Sequence, residues 1–144
     1  MWNTLKIGTN NMNKIIFTNG CFDLFHYGHL ELLRQARMMG NYLIVGINSD
    51  SSIKRLKGFR RPIIPEGERY TIIAELKCVD EAIIFDEDTP YELIKKVNPD
   101  IIVKGGDYKP EDVVGHDLAE VRIIPLVEGK STSNIIAKIR MLYG

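Results

Sequence analysis

Short apolar runs alternate along the chain with segments whose apolar residues recur every three or four positions. Five runs read as strands, over residues 14–18, 42–48, 82–85, 101–104 and 121–125. They are rich in Ile and Val and mostly lack the polar alternation of a half-exposed strand, which fits burial on both faces in a parallel sheet. Helical patterns lie between them. Over residues 30–39 the stripe is Leu32, Leu33, Ala36 and Met39, with Gly40 in the usual C-terminal stop position. Thr89-Pro90-Tyr91-Glu92 combines a capping box with Pro at the first helical position, and the helix it opens closes before Asn98-Pro99. Ile135, Ile136, Ile139 and Leu142 form the stripe of a last helix. This alternation implies right-handed crossovers and a doubly wound α/β fold, a five-stranded parallel sheet with helices on both faces. No repeat, low-complexity stretch or linker divides the 144 residues. One domain over residues 1–144 is expected, with residues 1–13 as a loosely attached extension.

Charge and cysteine content narrow the classes. Nineteen basic and nineteen acidic residues balance at formal zero, so neither nucleic acid nor a membrane surface is expected as the main partner. Cys21 and Cys78 lie far apart with no CxxC pairing, and read as thiols of a reducing compartment. No apolar run has signal-peptide or membrane-spanning length, so a cytoplasmic protein is expected.

The densest chemistry lies where the first strand hands over to the first helix, in Thr18-Asn19-Gly20-Cys21-Phe22-Asp23-Leu24-Phe25-His26-Tyr27-Gly28-His29. A helix N-terminus attracts anions, because its first N–H groups lack internal partners and the dipole is positive there. Two imidazoles three residues apart add hydrogen-bond donors suited to a phosphate. Gly28 would let the backbone approach the phosphates. Asp23 reads as a brace for the loop, since a carboxylate beside a triphosphate needs a metal to be tolerated. Cys21 reads as a packing residue, not a nucleophile.

In an open parallel sheet, ligands bind beyond the carboxyl ends of the strands, so three further loops are expected to meet this one. After the second strand come Ser49 or Asp50, suited to a helix N-cap, and a basic cluster of Lys54, Arg55, Lys57, Arg60 and Arg61. A solvated basic loop explains any one of these; as a group they suit phosphate. After Pro65, positions 69, 72, 73 and 76 share a helix face, which turns Arg69 inward with Ile72, Ile73 and Leu76. An inward guanidinium needs an anion, either a buried carboxylate or, the favoured reading, a phosphate. Lys104-Gly105-Gly106-Asp107-Tyr108 and Gly129-Lys130-Ser131-Thr132-Ser133-Asn134 complete the set, offering close backbone approach and hydroxyls at a helix start.

The twelve-residue stretch resembles the HxGH motif of the nucleotidyltransferases in its cytidylyltransferase-like form. Over about residues 14–140 the chain is similar to the adenylyltransferase domain of the bacterial ADP-heptose synthases. The likeness rests on Asn48-Ser49-Asp50, Lys54-Arg55-Leu56-Lys57-Gly58, Val103-Lys104-Gly105-Gly106-Asp107-Tyr108-Lys109-Pro110 and Gly129-Lys130-Ser131-Thr132-Ser133-Asn134-Ile135-Ile136. Glycerol-3-phosphate cytidylyltransferases share the HxGH loop, but usually carry Arg-Thr-Glu-Gly where this chain has Leu126-Val127-Glu128-Gly129. The resemblance implies a Rossmann-like fold, transfer of a nucleoside monophosphate from an NTP, ATP above CTP, to a phosphorylated sugar or polyol, Mg²⁺ as cofactor, and a homodimer. A heptose 1-phosphate is the favoured acceptor, and a non-catalytic nucleotide-binding module is the competing class. The expected catalytic residues are His26, His29, Lys57 and Arg69. Nucleotide binding is expected from Thr18, Asn19, Gly20, Cys21, Phe22, Gly28, Lys104, Gly105, Gly106, Asp107, Ser131 and Thr132. Acceptor binding is expected from Asp23, Asp50, Lys54, Arg55 and Arg61, and no residue is expected to ligate a metal directly.

Overall fold

A computed structural model describes residues 13–144; the extension expected over 1–13 lies, apart from Asn13, outside the described residues. The elements run β1 (Ile15–Gly20), α1 (Tyr27–Arg37), β2 (Tyr42–Asn48), α2 (Asp50–Lys57), α3 (Glu66–Ala74), β3 (Glu81–Phe85), α4 (Tyr91–Val97), β4 (Ile101–Gly105), β5 (Glu120–Ile124) and α5 (Thr132–Tyr143). All neighbouring strands pair in parallel, in the order β3-β2-β1-β4-β5. The chain steps outward from β1 to β3 and then returns to lay β4 on the other side of β1. Strand order therefore reverses between β1 and β4, where a doubly wound sheet opens its crevice.

Successive side chains of a strand face opposite ways, and the two cores follow that period. Ile16, Val45, Ile101 and Val103 pack with Leu33 and Ala36 of α1 and Ile73 of α3. Phe17, Ile44 and Ile102 pack on the other face with Ile94 of α4 and Val113. Each fully buried Ile, Leu, Val or Phe among them contributes about 1.5–3 kcal/mol through removal from water. The β1–β4 ladder is short, pairing Ile16 with Ile101 and Phe17 with Ile102, and the Thr18 hydroxyl extends it by donating to the Val103 carbonyl at 2.8 Å.

The strands match the sequence reading to within a residue or two, and the helices differ more. α1 begins at Tyr27 because His26 caps it, and ends at Arg37. Gly40 lies beyond the helix and is required there for space, since a Cβ would sit 2.4 Å from the Lys14 carbonyl oxygen. The capping box expected at the start of α4 does not form. Pro90 is the N-cap with no side-chain cap bond, and Asn98 closes the helix in the left-handed conformation. In α3, Arg69 and Ile73 are buried as expected, whereas Ile72 is 44% exposed. No residue of α5 is fully buried: Ile135 and Ile136 are half-buried, and Ile139 and Leu142 are exposed.

Candidate active site

The motif loop is held in a conformation that its own sequence resists. Phe22 and Leu24 both adopt left-handed backbone angles, φ 53° and 50°, which cost non-glycine residues about 1–2 kcal/mol each. Three sets of contacts hold it. Phe22 is buried in the core, the Asp23 carboxylate accepts from the Ile63 and Ile64 amides at 2.8 and 2.9 Å, and the Asp23 carbonyl accepts from the Thr132 hydroxyl at 2.6 Å. The last bond pins the start of α5 to the loop before α1, so two helix N-termini converge.

His26 and His29 cap α1 reciprocally. The His29 amide donates to His26 Nδ1 and the His26 amide to His29 Nδ1, each at 3.3 Å. A Nδ1 that accepts carries no proton, so each neutral ring presents its Nε2–H. The rings stack at 3.6 Å between centroids, and Phe22 and Phe25 flank His29 at 5.3 and 5.4 Å. Burial, then the neighbouring His26 and Lys57, drive the His29 pKa down to about 4; burial also lowers that of His26. Both rings are therefore neutral donors at neutral pH, ready to face an anion without first losing a proton.

Both histidines line a cavity of about 250 Å³ that also takes in Lys57, Arg61, Lys130, Ser131 and Thr132. Three cations, two imidazoles and two helix starts surround one space, a setting that stabilises developing phosphate charge. Gly28 lies at its edge, where a Cβ would meet the Lys130 carbonyl at 2.9 Å and the His26 ring at 3.0 Å. The glycine is thus needed for packing of the two helix starts. Ser131 caps α5 by accepting from the Asn134 amide, as its place in the run suggested. Lys130 and the wall residue Leu126 were not singled out as site residues from sequence, although Gly129-Lys130 directly before a helix cap was the available signal.

Several expected site residues lie elsewhere. Arg69 is 1% exposed and its guanidinium is taken up inside the protein, donating to the carbonyls of Ile64, Cys21 and Asn48 and to Asp50 Oδ1 at 2.7–2.8 Å. The carboxylate alternative fits, with the half-buried Asp50 as partner, and the structure uses Arg69 as a brace beneath the loops in place of the phosphate role expected of it. Asp50 pairs with Arg69 through Oδ1, and Asp23, buried with both carboxylate oxygens on the Ile63 and Ile64 amides, is not free for an acceptor. Ser49, not Asp50, caps α2. Lys54 donates to the Arg61 carbonyl, and Arg55 turns to Asp88 and the Asp86 carbonyl. Arg60 lies over Phe59 in the exposed loop. The Thr18 and Phe22 side chains belong to the interior, where a nucleotide cannot reach them. A Cβ on Gly20 would meet the Phe22 ring at 3.2 Å. Cys21 lends its carbonyl to Arg69, and burial pushes its thiol pKa up, against nucleophilic use.

The segment after β4 divides. Gly105 lies against Leu32 and Leu126 on the histidine side, and Gly106 takes φ 124°, a conformation that favours glycine. Asp107 is exposed, and Lys104 turns to the opposite face of the sheet together with Asn19, Pro90 and Tyr108.

Among the described residues no group of three or more His, Cys, Asp or Glu could hold a metal ion. The charged side chains around the histidines, Lys57, Arg61 and Lys130, are cations.

The sequence profile of the cytidylyltransferase-like family matches residues 17–138, from the middle of β1 into α5. The chain belongs to the cytidylyltransferase-like family of nucleotidyltransferases. Among curated proteins, this cytidylyltransferase-like chain is 59% identical over 128 residues to the bifunctional protein HldE of Nitratiruptor sp., covering 88% of the chain and 28% of that protein. It is 53% identical over 144 residues to the HldE of Syntrophotalea carbinolica, covering 96% and 29%. The chain thus spans less than a third of the length of these relatives. Among solved structures, the lipopolysaccharide core biosynthesis protein of Thermoplasma volcanium superposes with a TM-score of 0.66 at 29% identity, covering 79% of this chain and 96% of that one. A pantothenate synthetase of Thermus thermophilus superposes with a TM-score of 0.58 at 17% identity, covering 88% and 60%, and shares the fold. No helix among the described residues is long and apolar enough to cross a membrane.

Proposed function

We propose that the chain transfers an adenylyl group from ATP to D-glycero-D-manno-heptose 1-phosphate and releases pyrophosphate. The observation that carries this reading is the His26–His29 pair, two Nε2–H donors set between two helix N-termini in a cavity with Lys57, Arg61 and Lys130. An oxygen of the acceptor phosphate attacks the α-phosphorus in line, the bond from that phosphorus to the bridging oxygen of the β-phosphate breaks, and pyrophosphate leaves. The histidines donate to oxygens that gain charge in this step, while Lys57 and Arg61 hold the phosphates. Mg²⁺ would be held by the phosphates of the nucleotide, beside Lys57 and Arg61, and would supply charge screening there. No covalent intermediate with the protein is needed, and catalysis is positioning plus charge stabilisation.

The choice of substrates rests on the HldE relatives and on Leu126 in the cavity wall, where glycerol-3-phosphate cytidylyltransferases usually carry an arginine. Pyrophosphate release, measured with each NTP against heptose 1-phosphate and glycerol 3-phosphate, is the test. The reading expects ATP with the heptose phosphate. Preference for CTP, or activity with glycerol 3-phosphate alone, would overturn the substrates. Nucleotide binding with no release under any pairing would overturn the enzyme in favour of a binding module.

A further inference from the structure

We propose that the Asp23 carboxylate is a positioning residue for nucleotide binding, setting the 58–65 loop so that Arg61 faces the histidines; this rests on the nucleotidyl-transfer reading. The carboxylate is buried and accepts from the Ile63 and Ile64 amides at 2.8 and 2.9 Å, and among the described residues it forms no ion pair. Arg61 lies two residues before the first of these amides and lines the histidine cavity. The same short segment is tied at two more points. Lys54 Nζ donates to the Arg61 carbonyl at 3.1 Å, and Arg69 donates through Nε to the Ile64 carbonyl at 2.8 Å and through Nη1 to the Cys21 carbonyl at 2.7 Å. The motif loop and the Arg61 segment are thus clasped twice, once by a carboxylate of the loop and once by a guanidinium that bonds to both.

The backbone is bent to make this clasp. Phe22 and Leu24, at φ 53° and 50°, flank Asp23 on either side. Strain of this kind persists only where the surroundings over-determine it, and it gathers at sites that need fixed geometry. Here it lets one residue reach two walls, since the Asp23 carboxylate holds the 63–64 amides while its carbonyl takes the Thr132 hydroxyl at 2.6 Å. Three walls of the cavity, carrying His26 and His29, Arg61, and Ser131 and Thr132, therefore meet at Asp23. A carboxylate suits the position because both its oxygens only accept, whereas an amide would turn its NH₂ toward one of the two backbone N–H groups. Phe59 and Ile63 are exposed and add little packing to the loop. Buried and fully bonded, Asp23 does not touch the phosphates. It acts through Arg61, whose charge serves a phosphate only from the place the clasp sets.

Calorimetric ATP binding and steady-state kinetics on the full chain test the clasp. Asp23→Asn should weaken ATP binding about tenfold and raise the KM for ATP in step, with the KM for heptose 1-phosphate moving by less than about twofold. Arg61→Met should weaken ATP binding by a similar factor. Because Asp23 acts through Arg61, the double variant should bind ATP within about twofold of Arg61→Met alone, whereas independent effects would multiply to about a hundredfold. Lys54→Met frees the same segment at an exposed bond. It should weaken ATP binding about threefold and lose that effect in the Arg61→Met background, which keeps the test available even if Asp23→Asn folds poorly. Unchanged ATP binding, effects that multiply, or a rise confined to the acceptor KM would overturn the positioning role while leaving the transferase reading intact. ATP binding by the parent protein without pyrophosphate release from any acceptor would overturn that reading alone, and a parent that binds no ATP would overturn both.

Discussion

Replacing Arg69 by Met separates a structural brace from a phosphate ligand. The guanidinium makes four hydrogen bonds, three to carbonyls at the ends of β1 and β2 and in the 58–65 loop, and one to Asp50. Met fills similar volume and keeps the stem's packing, so the loss is electrostatic. Breaking a buried ion pair by removing one partner costs about 3–5 kcal/mol, because the other partner and the carbonyls lose their donors. Asp50 is partly open to water, which places the expected cost at the lower end, about 3 kcal/mol. For a small domain that loses about 1–3 kcal/mol of stability per molar urea, the unfolding midpoint should fall by about 1–3 M. Lys at this position keeps the charge but cannot reach four acceptors with a planar fork, so Arg69→Lys should recover only part of the midpoint. Urea melts followed by far-UV circular dichroism give the midpoints, and nucleotide KM values measured on the folded fraction complete the test. A midpoint equal to the parent's, with a nucleotide KM raised about tenfold, would show that Arg69 reaches a phosphate and that the bonding described above is wrong.

His29→Ala should keep the fold and lower kcat by about 10²–10³, as removal of one transition-state donor does; near-parental turnover would refute the assigned role. Because His29 is held near pKa 4, the rate should show no loss from its protonation until the pH falls well below 6.5, and an acid limb centred at 6.5 would contradict the capped geometry. The same depression makes the unfolded chain bind a proton that the native state refuses. Stability from this group is therefore full above 6.5 and falls as pH drops from 6.5 toward 4, by about 2 kcal/mol with partial solvent access allowed for; His29→Ala should flatten that slope in melts at stepped pH. Gly28→Ala should destabilise by about 1–3 kcal/mol, since its Cβ would press on the backbone carbonyl of Lys130, and an unchanged melting temperature would show that the two helix starts are free to part.

The strands were legible because a strand buried on both faces has little choice but Ile and Val, and the same constraint made the parallel sheet legible. The histidine pair was legible as two donors at a helix start. Its mutual cap was not, because that depends on ring rotamers that place Nδ1 over a neighbouring amide. Arg69 shows the boundary more sharply. Helical spacing turned it inward correctly, but its acceptors come from positions 21, 48, 50 and 64, which only the tertiary fold brings together. Sequence counts cations in a loop without sorting them. Of the cluster in residues 54–61, Lys57 and Arg61 line the histidine cavity, whereas Arg55 leaves for Asp88, because α2 turns successive residues by about 100° each.

Lys104 is the opposite case, since the signal was present in the period of the strand. Residues 102 and 104 of β4 share one face and 101 and 103 the other, and Val103 packs with α1, on the histidine side. A side chain one position after Val103 therefore cannot join His26 and His29 without crossing the sheet. Grouping Lys104 with Gly105 and Gly106 treated a strand end as a loop. A loop lets adjacent residues serve one site, whereas a strand end deals them to opposite faces of the sheet.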